Sequence, residues 1–235
     1  MVNGSTGREP ITGISSMATR QVLTELARAY EGLSGQPVAI ESVGGVDAAQ
    51  RIQDGEIFDI AILAESAIER LARMGKVDPA SRINLARSGI AIAVAAGAPQ
   101  PDISTEAALR EAILNARSIG YSTGPSGTHL VRLFERWGIA ETIAPRIVQA
   151  PPGVPVGALV ARGDIALGFQ QSSELIHLAG IDVIGALPQG TQVMTTFAAA
   201  ICTATSRREA AQALLSFLGS PEAEGAKSAN GMEPA

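Results

Sequence analysis

The chain has 235 residues, of which 46% are hydrophobic, 17% charged and 3% aromatic, and its formal net charge is -5. That length and apolar content suffice for one large or two small domains with a full core, and they argue against a disordered chain. The negative balance and the scarcity of aromatic rings exclude a nucleic-acid or acidic-membrane partner, because such binding neutralises phosphates with Lys and Arg.

In chain order, Ile11 to Ile14 reads as a strand, and Met17 to Leu33 as a helix with Val22, Leu23, Leu26 and Tyr30 at helical spacing, closed by Gly32 and Gly35. "PVAIESVGG" reads as a second strand ending in two glycines, Asp47 to Gln53 as a short amphipathic segment, Phe58 to Ala64 as a strand, and "ESAIERLARMG" as a helix with Gly75 past its end. "SGIAIAVAAG" is nearly all apolar and is expected to be central in its sheet.

The second half repeats the scheme. Thr105 to Ala116 is helical, "SIGYS" a strand, "SGTHLVRLFERWG" a helix, "RIVQA" a strand, "VGALVARG" a helix, "IALGFQQ" a strand, "SSELIHL" a helical turn and "IDVIGALP" a strand. A last strand, "TTFAAAICTA", precedes two helices, Arg207 to Leu218 and Glu222 to Ser228. Strands separated by helices imply crossover connections, hence an α/β protein with mainly parallel sheets flanked by helices.

Two strand-to-helix junctions carry surplus hydroxyls. At Ser15-Ser16 the first-turn N–H groups of the coming helix lack intrahelical partners and its dipole is positive, so a hydroxyl there can cap the helix or serve a ligand. In "YSTGPSGTHL" the run Ser122 to Thr128 joins small residues, which admit close backbone approach, to Ser and Thr hydroxyls and exposed N–H groups, making a candidate anion cradle. The spacing matches neither the phosphate loop, since no Lys follows Gly127, nor the dinucleotide fingerprint.

Other chemistries find little support. No His/Cys cluster has metal-ligand spacing, so no metal and no other cofactor is expected. Ser126 lacks an evident His/Asp relay, and no Gly-x-Ser-x-Gly elbow occurs. The single cysteine, Cys202, lies in the apolar "FAAAICTAT" and reads as a buried small hydrophobe. Residues 1–10 hold no apolar run of signal-peptide length, and no stretch approaches the ~20 apolar residues of a membrane span. As written, the chain is expected to be cytoplasmic without membrane insertion; with a leader removed, the expectation is periplasmic.

"GISSMATRQVLTELARAYEGLSGQPVAIESVGGVDAAQRIQDGEIFDIAILAESAIERLARMGKV", followed by "SIGYSTGPSGTHLVRLFERWGI", "GALVARGDIALGFQQSSEL" and "ALLSFLGSPEAEGAKSANGMEP", resembles the molybdate-binding proteins of ABC transporters over nearly the whole chain. The resemblance implies the type II periplasmic-binding-protein fold: lobe one at 1–87 plus 192–235, lobe two at 88–191, and a small anionic ligand in the cleft between them. It implies ligand contacts from Ser15 or Ser16 and the backbone near Gly44 and Gly45 in lobe one, and from Ser126, Gly127 and Thr128 in lobe two. Hinge closure around the ligand and an ABC transporter permease as partner follow from the same likeness.

One position departs from it. Those transporter proteins carry a tyrosine after the strand corresponding to "IALGFQQ", where this chain has Gln170 and Gln171, whose amides both donate and accept. Arg20, one helical turn after Ser16, and Arg87, at the expected crossover, read either as surface arginines or as cations that meet a carboxylate with paired hydrogen bonds. The ligand therefore stands between an oxyanion such as molybdate and an organic carboxylate. Aconitate isomerases resemble the molybdate binders in sequence, which gives an alternative: an enzyme moving an allylic proton on a tricarboxylate. Such a reaction needs a general base, for which His129 is the first candidate and Tyr121 and Glu174 the others. His177, on an apolar turn, reads as packed.

Overall fold

The computed structural model describes residues 8–235; the first seven residues of the expected first lobe lie outside it. In chain order it contains β1 (Ile11–Ser16), α1 (Arg20–Ser34), β2 (Val38–Val43), α2 (Gly45–Gln53), β3 (Ile60–Ala64), α3 (Glu65–Arg73), β4 (Ile83–Ala95), α4 (Glu106–Asn115), β5 (Ile119–Tyr121), α5 (Pro125–Arg136), α6 (Ala140–Ile143), β6 (Ile147–Gln149), α7 (Val156–Ala161), β7 (Leu167–Gln171), α8 (Ser172–Leu175), β8 (Ile181–Ala186), β9 (Met194–Ile201), α9 (Arg208–Leu218), α10 (Glu224–Ala229) and β10 (Glu233–Pro234). No helix among the described residues is long and apolar enough to cross a membrane.

The strands form one curled path, β2-β1-β3-β9-β4-β7-β5-β6, with β8 and β10 pairing β4 off it. The outer strands pair in parallel, β1 with β2 and β3, and β5 with β6 and β7. The antiparallel pairings gather where β4 and β9 cross between the two halves. Residues Ile83–Gly89 of β4 pair with β9, and Ile90–Ala95 with β7 and β8, so this single strand serves both wings. At its crossing point the Gln192 amide imitates a strand neighbour, accepting from the Ile90 N–H and donating to the Ile90 carbonyl, both at 2.9 Å.

Each wing is buried on both faces, which is why the strands read as unbroken apolar runs. In β3, Ile60 and Ile62 meet Leu23, Leu26 and Leu214 on one face, while Ala61 and Leu63 meet Ile52, Ile68 and Leu71 on the other. In the second wing Ile92, Phe169, Leu109 and Leu130 share a core. Cys202 is buried, and desolvation, with the nearby Asp59 charge, pushes its thiol up to about 12. That removes it from nucleophilic use.

Several boundaries differ from the sequence reading. The expected helix from Met17 opens as a 3-10 turn, Met17–Thr19, before α1 begins at Arg20. The strand expected from Ser88 starts at Ile83, because it must span both wings. His177 is exposed rather than packed, its Nε2 lying 3.2 Å from Asn230 Oδ1.

Candidate functional site

β1, β2, β5 and β7 are each followed by a helix or helical turn, and residues at all four junctions line a cleft between the wings. The inner chamber, about 60 Å³, is lined by Ser16–Ala18, Gly44–Val46, Ser122–Ser126, Pro151–Pro155, Gln170, Gln171, Glu174 and Phe197. Where about 10–15 Å³ admits one water, this holds a few waters or one carboxylate-sized group. It opens into an outer chamber of about 560 Å³, lined by Ser16, Gly45, Ser66, Arg70, Thr123, Thr128, His129, Arg132 and Thr195 among others. A hollow of about 490 Å³ elsewhere, lined by Pro99, Ala108 and Leu167, lacks this convergence of helix starts.

Ser16 ends β1 as the cap of the 3-10 turn, its Oγ accepting from the Ala18 N–H at 3.4 Å, so the hydroxyl proton remains available to a ligand. Across the chamber Ser126 is 1% exposed and shares a 3.3 Å contact with the Ser122 hydroxyl, which also accepts from the Gly124 N–H. Gly127 is required by packing: a Cβ there would fall inside the Ser122 carbonyl oxygen. The wings nearly meet at Gly44, where a Cβ would stand 3.9 Å from the Gly153 nitrogen. Gly153, with φ of 75°, turns the Pro151–Pro155 loop over the chamber.

The glutamines do structural tasks at the chamber wall. Gln170 Oε1 accepts from the N–H groups of Val156 and Gly157 at 2.9 and 3.4 Å, satisfying the start of α7, and its Nε2 donates to Glu174 Oε1 at 2.7 Å. The Gln171 amide is assigned with its oxygen toward the Thr195 hydroxyl at 2.9 Å, so that its nitrogen donates to the Ser88 and Gly89 carbonyls at 2.9 and 3.3 Å. Glu174, on α8, keeps part of its surface open to the chamber, yet the surrounding chain strips water from its carboxyl. Desolvation pushes its pKa up to about 7, against a smaller opposing pull from the Gln170 hydrogen bond.

The structure thus brings Ser16, Gly44, Gly45, Ser126, Gln170 and Gln171 to the inner chamber, with Thr128 and His129 in the outer one. Gly127 packs against the Ser122 carbonyl and lines a neighbouring hollow with Thr123 and Thr128 rather than the inner chamber. Three residues fall elsewhere. Ser15 is fully buried between β1 and β2, its Oγ 2.7 Å from that of Ser42. Arg20 lines a separate surface groove with Arg28 and Glu31, because the 3-10 turn advances three residues per turn and so breaks the α-helical phase linking it to Ser16. Arg87 is exposed and pairs with Glu233 of β10 at 3.2 Å. His129 Nε2 lies 2.7 Å from the Thr191 carbonyl, and Tyr121 is buried in the core against Phe134. Sequence reasoning missed Arg70 and Arg132, although each follows a cleft hydroxyl, Ser66 or Thr128, by one helical turn.

A family model described as bacterial extracellular solute-binding protein matches residues 11–233. An aconitate isomerase from a Pseudomonas species is 37% identical over 230 residues, covering 95% of this chain and 87% of that protein. Among solved structures, the periplasmic molybdate-binding protein of Azotobacter vinelandii superposes with a TM-score of 0.79 at 22% identity, over 94% of this chain and 98% of its own. The sulfate-binding protein of Mycobacterium tuberculosis does so at 0.74 and 17% identity, over 97% of this chain and 88% of its own. At these identities the structural likeness establishes the periplasmic-binding-protein fold.

Proposed function

The chain belongs to the bacterial extracellular solute-binding protein family, and on that premise we propose that its cleft binds an aconitate-type tricarboxylate and isomerises it, with Glu174 as general base. The lobes are then 1–87 plus 192–235 and 88–191, closing about β4 and β9. The observation that carries the reading is Glu174 itself. A site built only to hold an oxyanion gains nothing from a carboxyl in its wall, because the ionised form repels the ligand. A proton-transfer site needs one, and a pKa near 7 matches proton abstraction near neutrality.

The reaction class balances without a cofactor. Glu174, ionised, takes a proton from the methylene carbon of the propene tricarboxylate. The electron pair delocalises through the allylic system into the adjoining carboxylates, and the same carboxylic acid returns the proton to the former vinyl carbon. The double bond has then shifted by one position and can emerge in the other geometry. The hydroxyls of Ser16 and Ser126 and the helix-start N–H groups around them serve as donors to the carboxylate that gathers this charge. Identity of 37% to an aconitate isomerase over most of both chains supports the assignment.

A second reading is a solute-binding protein that carries a small oxyanion or organic carboxylate to an ABC transporter permease without changing it. The cleft's purely neutral inner donors, Ser16 and Ser126, and the likeness to a molybdate-binding fold favour it. An extracellular location goes with the family and is tested by fractionating the native cells. One experiment separates the readings: purified protein is given cis- or trans-aconitate and interconversion is followed by ultraviolet absorbance. Turnover abolished by Glu174→Gln supports the isomerase. No turnover, with thermal stabilisation by molybdate or sulfate alone, leaves the carrier.

A further inference from the structure

Arg70 and Arg132 have no part in the chemistry proposed above. Arg70 stands on α3 of the first wing and Arg132 on α5 of the second, and both line the same outer chamber of about 560 Å³. Among the described residues neither forms an ion pair, whereas Arg51 is held by Glu41 and Glu56, and Arg82 by Glu65 and Glu69. The chain carries a net charge of -5, so two unneutralised cations meeting at one cavity are not a by-product of a basic surface.

Chamber size adds the second constraint. An ion confined to the inner space of about 60 Å³ sits among Ser16, Ser126 and Glu174 and does not need the outer space at all. An elongated anion with one carboxylate seated inside must place the remainder in the outer chamber, where the fork of a guanidinium matches a carboxylate with two parallel hydrogen bonds. The arginines approach from opposite wings, so a ligand long enough to engage both also bridges the cleft.

We propose that Arg70 and Arg132 are specificity-determining residues that grip the distal carboxylates of a di- or tricarboxylate, one from each wing. Ligand length then decides what the cleft retains, and bridging couples capture to wing closure. This rests on the carboxylate reading of the site given above.

The test is isothermal titration of wild type, Arg70→Gln and Arg132→Gln with tricarballylate, the saturated tricarboxylate that has no allylic proton to move, and with molybdate as the compact anion. Both arginines are exposed, so the substitutions leave the core intact, and circular dichroism checks this. The expected result is a roughly 10–100-fold loss of tricarballylate affinity in each variant, by the strength of charge-assisted paired hydrogen bonds, with any molybdate binding unchanged. Arg132→Lys, which keeps the charge and loses the fork, should recover only part of the affinity. Unchanged tricarballylate affinity in both glutamine variants overturns the clamp. Equal losses for molybdate and tricarballylate overturn it too, since they would mark a general field effect. Wild-type protein that turns over aconitate with variants of unaltered KM sinks the clamp alone, whereas wild-type protein that neither binds tricarballylate nor turns over aconitate sinks the carboxylate reading with it.

Discussion

Gln170 binds Glu174 and the start of α7 at once: its Nε2 donates to Glu174 Oε1 at 2.7 Å while its Oε1 accepts from the Val156 N–H at 2.9 Å. One amide therefore fixes the direction of the candidate base and ties it to the helix whose preceding loop, Pro151–Pro155, covers the chamber. Removing the base and removing its holder should have separable effects.

Glu174→Gln keeps the shape and a hydrogen-bonding group but cannot take up a proton. Isomerisation of aconitate should fall by about 10²–10⁴-fold, the usual contribution of a general base. Affinity for tricarballylate, measured by titration, should hold or rise, because a potential negative charge has left the wall.

Acidity gives the second expectation. Wild-type kcat/KM should rise with pH along a limb of apparent pKa about 7 as Glu174 ionises. Stability should move the opposite way. The folded pKa lies above the ordinary value of 4.5, so the native state binds the proton more tightly between the two. The resulting stabilisation is fully present below about 4.5 and is lost as pH rises through about 7. Glu174→Gln lacks this loss, so its Tm advantage over wild type should grow between pH 5 and pH 8 in paired melting curves.

Gln170→Leu leaves the first N–H groups of α7 without an acceptor inside the protein. A cost of about 1–3 kcal/mol is expected for such unsatisfied buried groups, read from chemical denaturation. Its lost hydrogen bond to the ionised Glu174 should also carry the acid limb of kcat/KM upward, a shift that a merely structural defect would not produce.

Ser16→Ala and Ser126→Ala should each weaken tricarballylate binding by about 10-fold or more, as expected for a hydrogen bond to a charged group, while the protein stays folded with a modest fall in melting temperature from the lost Ser16 cap and Ser122 contact. Unaltered affinity in both would remove the inner chamber from the site.

Gly127→Ala forces a methyl group onto the Ser122 carbonyl oxygen. Since that atom is backbone and cannot swing aside, a destabilisation of about 1–3 kcal/mol is expected from overpacking alone, with ligand affinity lost as the cradle shifts. Denaturant titration and ligand binding on the same sample check it.

The alternation of apolar runs with glycine-punctuated helices made the fold legible, because buried strands such as "IAILA" advertise themselves over their whole length. The hydroxyl junctions at Ser16 and Ser126 were legible for a related reason: strand-to-helix turns leave donors at predictable places. Side chains that reach the cleft along a helix were harder. Arg20 shares helical spacing with Ser16, yet the 3-10 turn rotates it away, while Arg70 and Arg132 satisfy the same spacing on helices that start cleanly. Glu174 follows a strand end whose neighbours Gln170 and Gln171 line the chamber as ligand groups would, and their hydrogen bonds to the wall, which depend on Val156, Thr195 and Ser88 from elsewhere in the chain, are not visible in the local pattern. His177 is exposed and its partner Asn230 lies far along the chain, which no local pattern reports.

The position of β9 between β3 and β4 has a consequence for biogenesis. While the chain emerges, β1, β2 and β3 can assemble, but the inner edge of β3 has no neighbour until Met194–Ile201 arrives. The segment holding β5, β6 and β7 meets no such delay, since its parallel pairs close among themselves. The half made first is therefore finished last, and during that interval its apolar open edge is the surface on which a nascent chain would pair with a neighbour or call for a chaperone.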